Sequence, residues 1–174
     1  NSWSGGGIIG GTRPEFSNMK VTILNTVNAG TVTSELQTSY FGSVIGGLES
    51  TSTIINLENV YTTTDAKKGS NVITTDMTGI GRIKTNTVNG VVQKMTTAQM
   101  SGNEAYKNTE LDLYSTSNTS GVWAATGNGT QLKKFTTASV ISSFTGNRAA
   151  VKWYYKSYVN GKAPSAATTY QITS

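Results

Sequence analysis

The sequence predicts an all-β fold, a sandwich or barrel, and three observations support this prediction. Thr, Ser, Asn and Gly make up nearly half of the chain; Thr favours strands, whereas Asn, Gly and Ser favour turns. Turn signals recur about every ten residues between short apolar runs, which is typical of a sandwich or barrel. Residues of high helix propensity are sparse, which disfavours a βαβ arrangement.

The domain organisation follows from length and from a change in texture near residue 19. A chain of 174 residues is close to the common size of one domain. Residues 1–18 are predicted to be a glycine-rich lead-in, and residues 19–174 a single β-sandwich domain. No internal repeat at a fixed period is evident.

Strands are predicted wherever apolar and polar residues alternate or a short apolar run is bounded by turn residues. The pair Asn89-Gly90 separates two β-prone runs and predicts a type I′ hairpin between residues 83–88 and 91–95. A turn is predicted at residues 127–129, and one helical turn within residues 97–106. The remaining predicted strands cover residues 19–23, 31–36, 40–45, 53–61, 111–114, 122–124 and 135–144.

Composition excludes several kinds of chemistry. The chain has no Cys and no His, which removes thiol catalysis, Cys-ligated zinc and the commonest general base. We therefore expect no enzyme of a His- or Cys-dependent kind and no cofactor. The acids Glu110 and Asp112 would share a strand face if that segment is extended, and we interpret them as a solvated edge.

Charge and hydropathy indicate a protein of the cell exterior. The net charge is +5, but the lysines are scattered and Arg is scarce, so we expect no nucleic-acid binding. No apolar run approaches the ~20 residues of a membrane span, so we expect no membrane insertion. The bias towards Thr, Ser, Asn and Gly with few charges favours export to the extracellular surface.

Residues 151–159 carry the candidate ligand site, because side chains alternate between the two faces of a strand. One face holds Trp153 and other apolar residues and is predicted to be buried. The other face presents alternating cations and aromatics, which could stack on sugars or contact an acidic partner; ordinary packing of Tyr on Lys stems is the alternative. The residues of this candidate ligand-binding stripe are Lys152, Tyr154, Lys156 and Tyr158.

The C-terminal residues resemble the end of the chaperone–usher fimbrial subunits. An aromatic strand is followed by Gly161, a short Ala-Pro-Ser-Ala connection, and a terminal strand in which Tyr170 and Ile172 alternate. The resemblance implies an incomplete immunoglobulin-like sandwich completed by a strand from a neighbour. It also implies that Gly161, Tyr170 and Ile172 belong to the subunit-assembly strand.

These observations predict a structural or adhesive subunit of a bacterial surface fibre, such as a fimbria or pilus. The implied partners are other copies of the chain or related subunits by strand exchange, a periplasmic chaperone, and a host glycan or protein receptor. Three alternatives remain open at this point: a free-standing carbohydrate-binding β-sandwich module, a viral capsid or spike β-sandwich protein, and a hydrolase with a pair of acidic residues.

Overall fold

The computed structural model describes residues 3–15, 17–35 and 39–135. The chain divides into two compact units, Asn1–Thr96 and Thr97–Ser174. Strands account for most of the regular structure in the described residues, and one short α-helix lies in the second unit. The prediction of an all-β fold is therefore confirmed.

The described residues of the first unit form ten strands, several of them rich in β-branched residues. The longest, β6, has 18 residues and lies at the centre of the unit. The strands are β1 (Trp3–Gly6), β2 (Ile9–Thr12), β3 (Lys20–Asn28), β4 (Val32–Thr33), β5 (Ser39–Gly42), β6 (Ile45–Thr62), β7 (Ala66–Lys68), β8 (Asn71–Val72), β9 (Ile80–Asn89) and β10 (Val92–Lys94).

Pairing between these strands is almost entirely parallel. One edge of β6 pairs with β2 and then β3, and the other edge pairs with β9 and then β10, all in parallel. The short strands follow the same rule, since β1 pairs with β5 and β4 with β7. The exception is β8, which folds back antiparallel onto β7. Successive segments of the chain therefore lie side by side and run in the same direction.

This pairing defines a short parallel β-solenoid of three stacked coils, the third of which consists of β9 and β10. Like residues stack in columns through the coils, such as Ile9 on Ile45 on Ile80. The core lies between the strands of each coil, and burial of this apolar surface is the main stabilising contribution. The fully or nearly buried core residues are Ile23, Val44, Ile45, Leu48, Ile55, Leu57, Val60, Ile80 and Val92.

The immunoglobulin-like sandwich predicted for this region is not the observed arrangement. That sandwich is built from antiparallel strands, whereas the long strands of residues 1–96 pair in parallel. The coils also form a structural repeat, although its spacing is not fixed, in agreement with the sequence, where no repeat at a fixed period is evident. Ile9 aligns with Ile45, 36 positions later, but Val60 aligns with Val92, 32 positions later. This drift in spacing hides the repeat from a search at one fixed period.

The predicted Asn89-Gly90 hairpin is a further correction. Gly90 does have the positive φ that the turn signal demands, at 88°. The flanking strands β9 and β10, however, both pair in parallel with β6 and not with each other. The pair therefore forms a corner at which one coil bends. Local residues determine the bend, but the partner strand is chosen by burial of the whole coil.

The glycine-rich N-terminal residues, predicted to be a lead-in, form part of the first unit. Strand β1 pairs with β5, and β2 pairs with β6. The predicted boundary at residue 18 thus falls inside this unit. Glycine allows the β1–β5 layer to approach the β2–β6 layer closely, since a Cβ on Gly46 would lie 2.5 Å from Gly5 N in β1. The same Cβ would lie 2.1 Å from the carbonyl oxygen of Gly10 in the neighbouring strand β2.

The described part of the second unit contains a helix and a hairpin. Helix α1 spans Gly102–Asn108, which overlaps the predicted helical turn. Strands β11 (Trp123–Thr126) and β12 (Gly129–Leu132) pair antiparallel around the turn predicted at residues 127–129. A 3₁₀ turn at Lys133–Phe135 follows. The buried apolar residues in the described part of this unit are Met100, Ala105, Leu111, Leu113, Ala124 and Ala125.

Candidate functional site

The candidate functional site is a polar cavity of about 210 Å³ in the first unit. It is lined by residues from the connection between the second and third coils and by Lys94, the last residue of β10. We refer to it as the coil-junction cavity. Its walls combine one charge pair, three hydroxyl side chains and an apolar patch, contributed by Ser43, Asp65, Ala66, Val72, Ile73, Thr75, Thr78, Gly79 and Lys94.

An ion pair between two lining residues, Asp65 and Lys94, borders the coil-junction cavity. Lys94 Nζ is 2.5 Å from Asp65 Oδ2, and the two side chains are 50% and 35% exposed. A pair this open to solvent contributes little to stability, about 0–1 kcal/mol. The pair matters here because it places one hydrogen-bond donor, the Lys94 ammonium group, and one acceptor, the Asp65 carboxylate, beside the cavity.

The coil register explains why a lysine occupies this position. Asn28, Thr62 and Lys94 form one column through the three coils. In the first two coils the column residue satisfies a nearby backbone carbonyl: Asn28 Nδ2 donates to Ser43 O at 2.5 Å, and Thr62 Oγ1 donates to Thr64 O at 2.9 Å. In the third coil the longer Lys94 side chain instead extends to Asp65.

The apolar wall of the cavity comes from the hairpin of β7 and β8. Gly69 forms the turn with a φ of 57°, and Ile73 N donates to Ala66 O at 2.9 Å. The hairpin holds Val72 largely in solvent, with 58% of the residue exposed. A single exposed valine is ordinary on a protein surface, but this one borders a cavity that also contains polar groups.

A second polar cluster lies on the same unit and joins three residues that are distant in sequence. The Arg82 guanidinium carbon is 4.4 Å from the centroid of the Tyr40 ring, and the same guanidinium donates a hydrogen bond to the Tyr40 hydroxyl. Arg82 Nε is 3.4 Å from Glu49 Oε1. That oxygen is buried and accepts no hydrogen bond within the described residues, so its contact with Arg82 is Coulombic.

Sequence reasoning missed both groups because nothing local marks them. Asp65 and Lys94, like Tyr40 and Arg82, are brought together by the coil register over distances of 29 and 42 residues. A signal was nevertheless present. Arg82 occupies the column of Gly11 and Gly47, so aligning the coils would have shown a charged residue in place of glycine.

The acids singled out in the sequence do not share the strand face that was predicted for them. Neither Glu110 nor Asp112 lies in a strand, and Asp112 Oδ1 accepts a 2.8 Å hydrogen bond from Asn118 Nδ2. Across the described residues, no group of three or more His, Cys, Asp or Glu side chains could hold a metal ion.

The site residues predicted from the C-terminal sequence all lie outside the described residues. These are the stripe of Lys152, Tyr154, Lys156 and Tyr158, the assembly residues Gly161, Tyr170 and Ile172, and the predicted core residue Trp153.

Comparison with known proteins gave no relative. No protein-family model, no curated protein and no solved structure matches the chain. In the portion of the chain that the structure describes, no helix has the length and apolar character needed to cross a membrane.

Proposed function

We propose that the chain is a structural or adhesive subunit of an extracellular surface fibre, and that its coils form the rod of that fibre. The observation that carries the proposal is the stack of parallel coils in residues 1–96. In such a fold each coil covers the apolar face of its neighbour, so length can be added without a new architecture. The absence of His and Cys from the sequence agrees with a role other than catalysis.

The composition of the outer surface supports the proposed extracellular location. Along β3, β6 and β9 the exposed positions are mostly hydroxyl and amide side chains, among them Thr22, Thr51, Thr85, Thr87 and Asn89. Such side chains form hydrogen bonds with water or with the hydroxyl and amide groups of a partner. These contacts do not require the partner to carry a charge. This surface is compatible with attachment to a glycan or protein receptor.

Assembly would proceed by addition of coils at the strand edges. The start of β9 is bonded to the residues before it, since Met77 exchanges backbone hydrogen bonds with Ile80 and Asp76 N donates to Gly81 O. Among the described residues, no strand pairs with the rest of the edge of β9 that faces away from β6. Such an edge presents unpaired N–H and C=O groups and readily accepts another strand. Contact between the last coil of one copy and the first coil of the next is heterologous, and repetition of this contact produces an open filament. Other copies of the chain are therefore the proposed assembly partners.

The experiment uses one charge placed at the proposed junction. Thr87 pairs with Ile54, which pairs with Lys20 on its other side. In a filament Thr87 of one copy would therefore lie beside Lys20 of the next copy. Thr87→Lys should shorten the filaments because like charges directly opposite are destabilising. The matched control is Thr85→Lys, since Thr85 pairs with Thr51, which has no registered partner in β2 or β3.

The measurements are electron microscopy, sedimentation and adhesion of the purified 174-residue chain to cultured cells. We expect linear assemblies that adhere, normal filaments for Thr85→Lys and shortened ones for Thr87→Lys. A wild-type chain that sediments as a monomer and adheres to no cell surface would overturn the proposal. Filaments of normal length for Thr87→Lys would contradict the proposed contact between the edge of β9 in one copy and the first coil of the next.

A further inference from the structure

We propose that the coil-junction cavity binds one neutral sugar residue of a glycan. This inference rests on the proposed adhesive function and names the ligand class of one site within it. The supporting observations are the charge balance of the cavity, its size and the pairing of its polar and apolar walls.

Charge balance favours a neutral, hydrogen-bonding ligand. Asp65 supplies a carboxylate that accepts hydrogen bonds, and Lys94 supplies an ammonium group that donates them. Because their atoms are 2.5 Å apart, the two charges largely cancel at longer range. A vicinal diol can donate one hydroxyl to the carboxylate and accept from the ammonium group with the other, without separating either charge from its partner.

The same balance disfavours ionic ligands. Calcium takes six to eight oxygen ligands, usually with several carboxylates, whereas the cavity lining contains one carboxylate and a lysine beside it. An anion would meet a lysine whose charge is already compensated by Asp65. A neutral polyol meets neither difficulty.

Size and wall chemistry indicate a single pyranose ring. The cavity of about 210 Å³ is smaller than the ~300–1,000 Å³ typical of sites for drug-sized molecules. A pyranose has hydroxyl groups around its edge and C–H groups on its faces. Ser43, Thr75 and Thr78 offer hydroxyl partners for the edge, and Val72 with Ile73 offers an apolar surface for a C–H face.

The test is saturation-transfer NMR of the full 174-residue chain with methyl glycosides of glucose, galactose, mannose and N-acetylglucosamine. We expect at least one glycoside to receive saturation and to bind with a Kd of about 1 mM, the weak range expected for one small ligand. Asp65→Asn and Val72→Ser should each weaken that binding about tenfold. Val72 is 58% exposed, so its substitution leaves the core intact.

Arg13→Gln provides the matched control. Arg13 forms an open ion pair with Glu15 at 3.7 Å and does not line the cavity, so this variant should bind as the wild type does. Circular dichroism confirms that each variant is folded. Titrations with calcium, inorganic phosphate and glycine use the same samples.

Three results would overturn the inference. These are the absence of saturation transfer to every glycoside, glycoside binding that neither variant weakens, and binding of calcium, phosphate or glycine in place of a glycoside. The adhesion assay separates this failure from failure of the proposed function. A chain that adheres to cells but binds no glycoside loses the sugar site and keeps the adhesive role, whereas a chain that forms no filaments and adheres to no surface loses both.

Discussion

Asn59 donates a 2.9 Å hydrogen bond from Nδ2 to Oδ1 of Asn25, and the two residues hold the same left-handed backbone conformation, with φ of 53° and 48°. They occupy equivalent corners of the first and second coils. Asparagine suits both tasks, since it tolerates positive φ better than other non-glycine residues and its amide can bond along a stack. In the third coil, Gly90 takes the corner with a φ of 88°.

Substitution of Asn59 should separate the contribution of its side-chain hydrogen bond from that of its left-handed backbone conformation. Asn59→Gly removes the amide bond and keeps the backbone conformation accessible, so we expect a loss of about 1 kcal/mol in the free energy of unfolding. Asn59→Ala also forces a Cβ-bearing residue into the left-handed region, which adds about 1 kcal/mol. Urea unfolding followed by circular dichroism measures both values. Equal losses for the two variants would contradict the backbone argument.

Asn86 should stabilise the irregular part of β6. Its Oδ1 accepts from Thr53 N at 3.0 Å and its Nδ2 donates to Leu48 O at 2.8 Å, where the ladder between β6 and β9 shifts register. Asn86→Ala removes both bonds, and we expect a loss of about 2 kcal/mol by urea unfolding. Thr85→Ala changes an exposed neighbour and should stay within about 0.5 kcal/mol of the wild type. Similar losses of unfolding free energy for Asn86→Ala and Thr85→Ala would contradict the stabilising role of the two Asn86 hydrogen bonds.

Local features of this fold could be predicted from the sequence. Alternation of apolar and polar residues identified the start of β3, and the turn residues Gly127 and Gly129 marked the hairpin of the second unit. Each of these signals acts over a few residues, because side-chain period and allowed φ are local properties.

The pairing of strands could not be predicted in the same way. Asn89-Gly90 specifies a bend but does not specify which strand lies beside β10, and that choice depends on Val92 packing in register on Val60. The same limit applied to the site, since Asp65 and Lys94 meet only when two coils are aligned. The repeat did leave one signal that can be found in the sequence: glycine pairs occur at 10–11 and again, 36 positions later, at 46–47.

Lys133 should titrate below the ordinary lysine range. Its Nζ is 4.1 Å from the Tyr114 ring centroid and donates to Thr119 O at 2.8 Å, and burial lowers the pKa of this amine below its ordinary value of 10.5. The folded state therefore binds this proton less tightly than the unfolded chain does. Its contribution to stability should rise as pH increases through the window between the lowered pKa and 10.5.

An NMR titration of ¹³Cε-labelled lysine measures this effect, with Lys133→Met to assign the resonance. In the same variant, the rise in unfolding free energy within that alkaline window should disappear. A Lys133 resonance that titrates at or above 10.5 would contradict the expected burial.

Gly46 should not tolerate a larger side chain, and Gly10 in the neighbouring strand β2 offers a matched comparison. A methyl group on Gly46 would lie 2.1 Å from Gly10 O and 2.5 Å from Gly5 N, whereas one on Gly10 would meet Ser4 O at an ordinary 3.5 Å. The atoms that crowd Gly46 belong to the backbone and cannot rotate away. Relief of the contact with Gly5 would require the β1–β5 layer to move off the β2–β6 layer, and relief of the contact with Gly10 would require β2 to move away from β6.

We therefore expect Gly46→Ala to lower the free energy of unfolding by about 3 kcal/mol, at the upper end of the usual overpacking cost. Gly10→Ala should stay within about 0.5 kcal/mol of the wild type. Urea unfolding gives the two values, and amide hydrogen exchange locates the damage, because protection should fall first in β1 and β5. Neither glycine has a positive φ, so a difference between the variants reports the backbone contacts of Gly46 with Gly5 and Gly10 and not backbone strain. Equal stability of the two variants would show that the layers are not packed through Gly46, and the stacked arrangement of the glycine-rich segment would have to be abandoned.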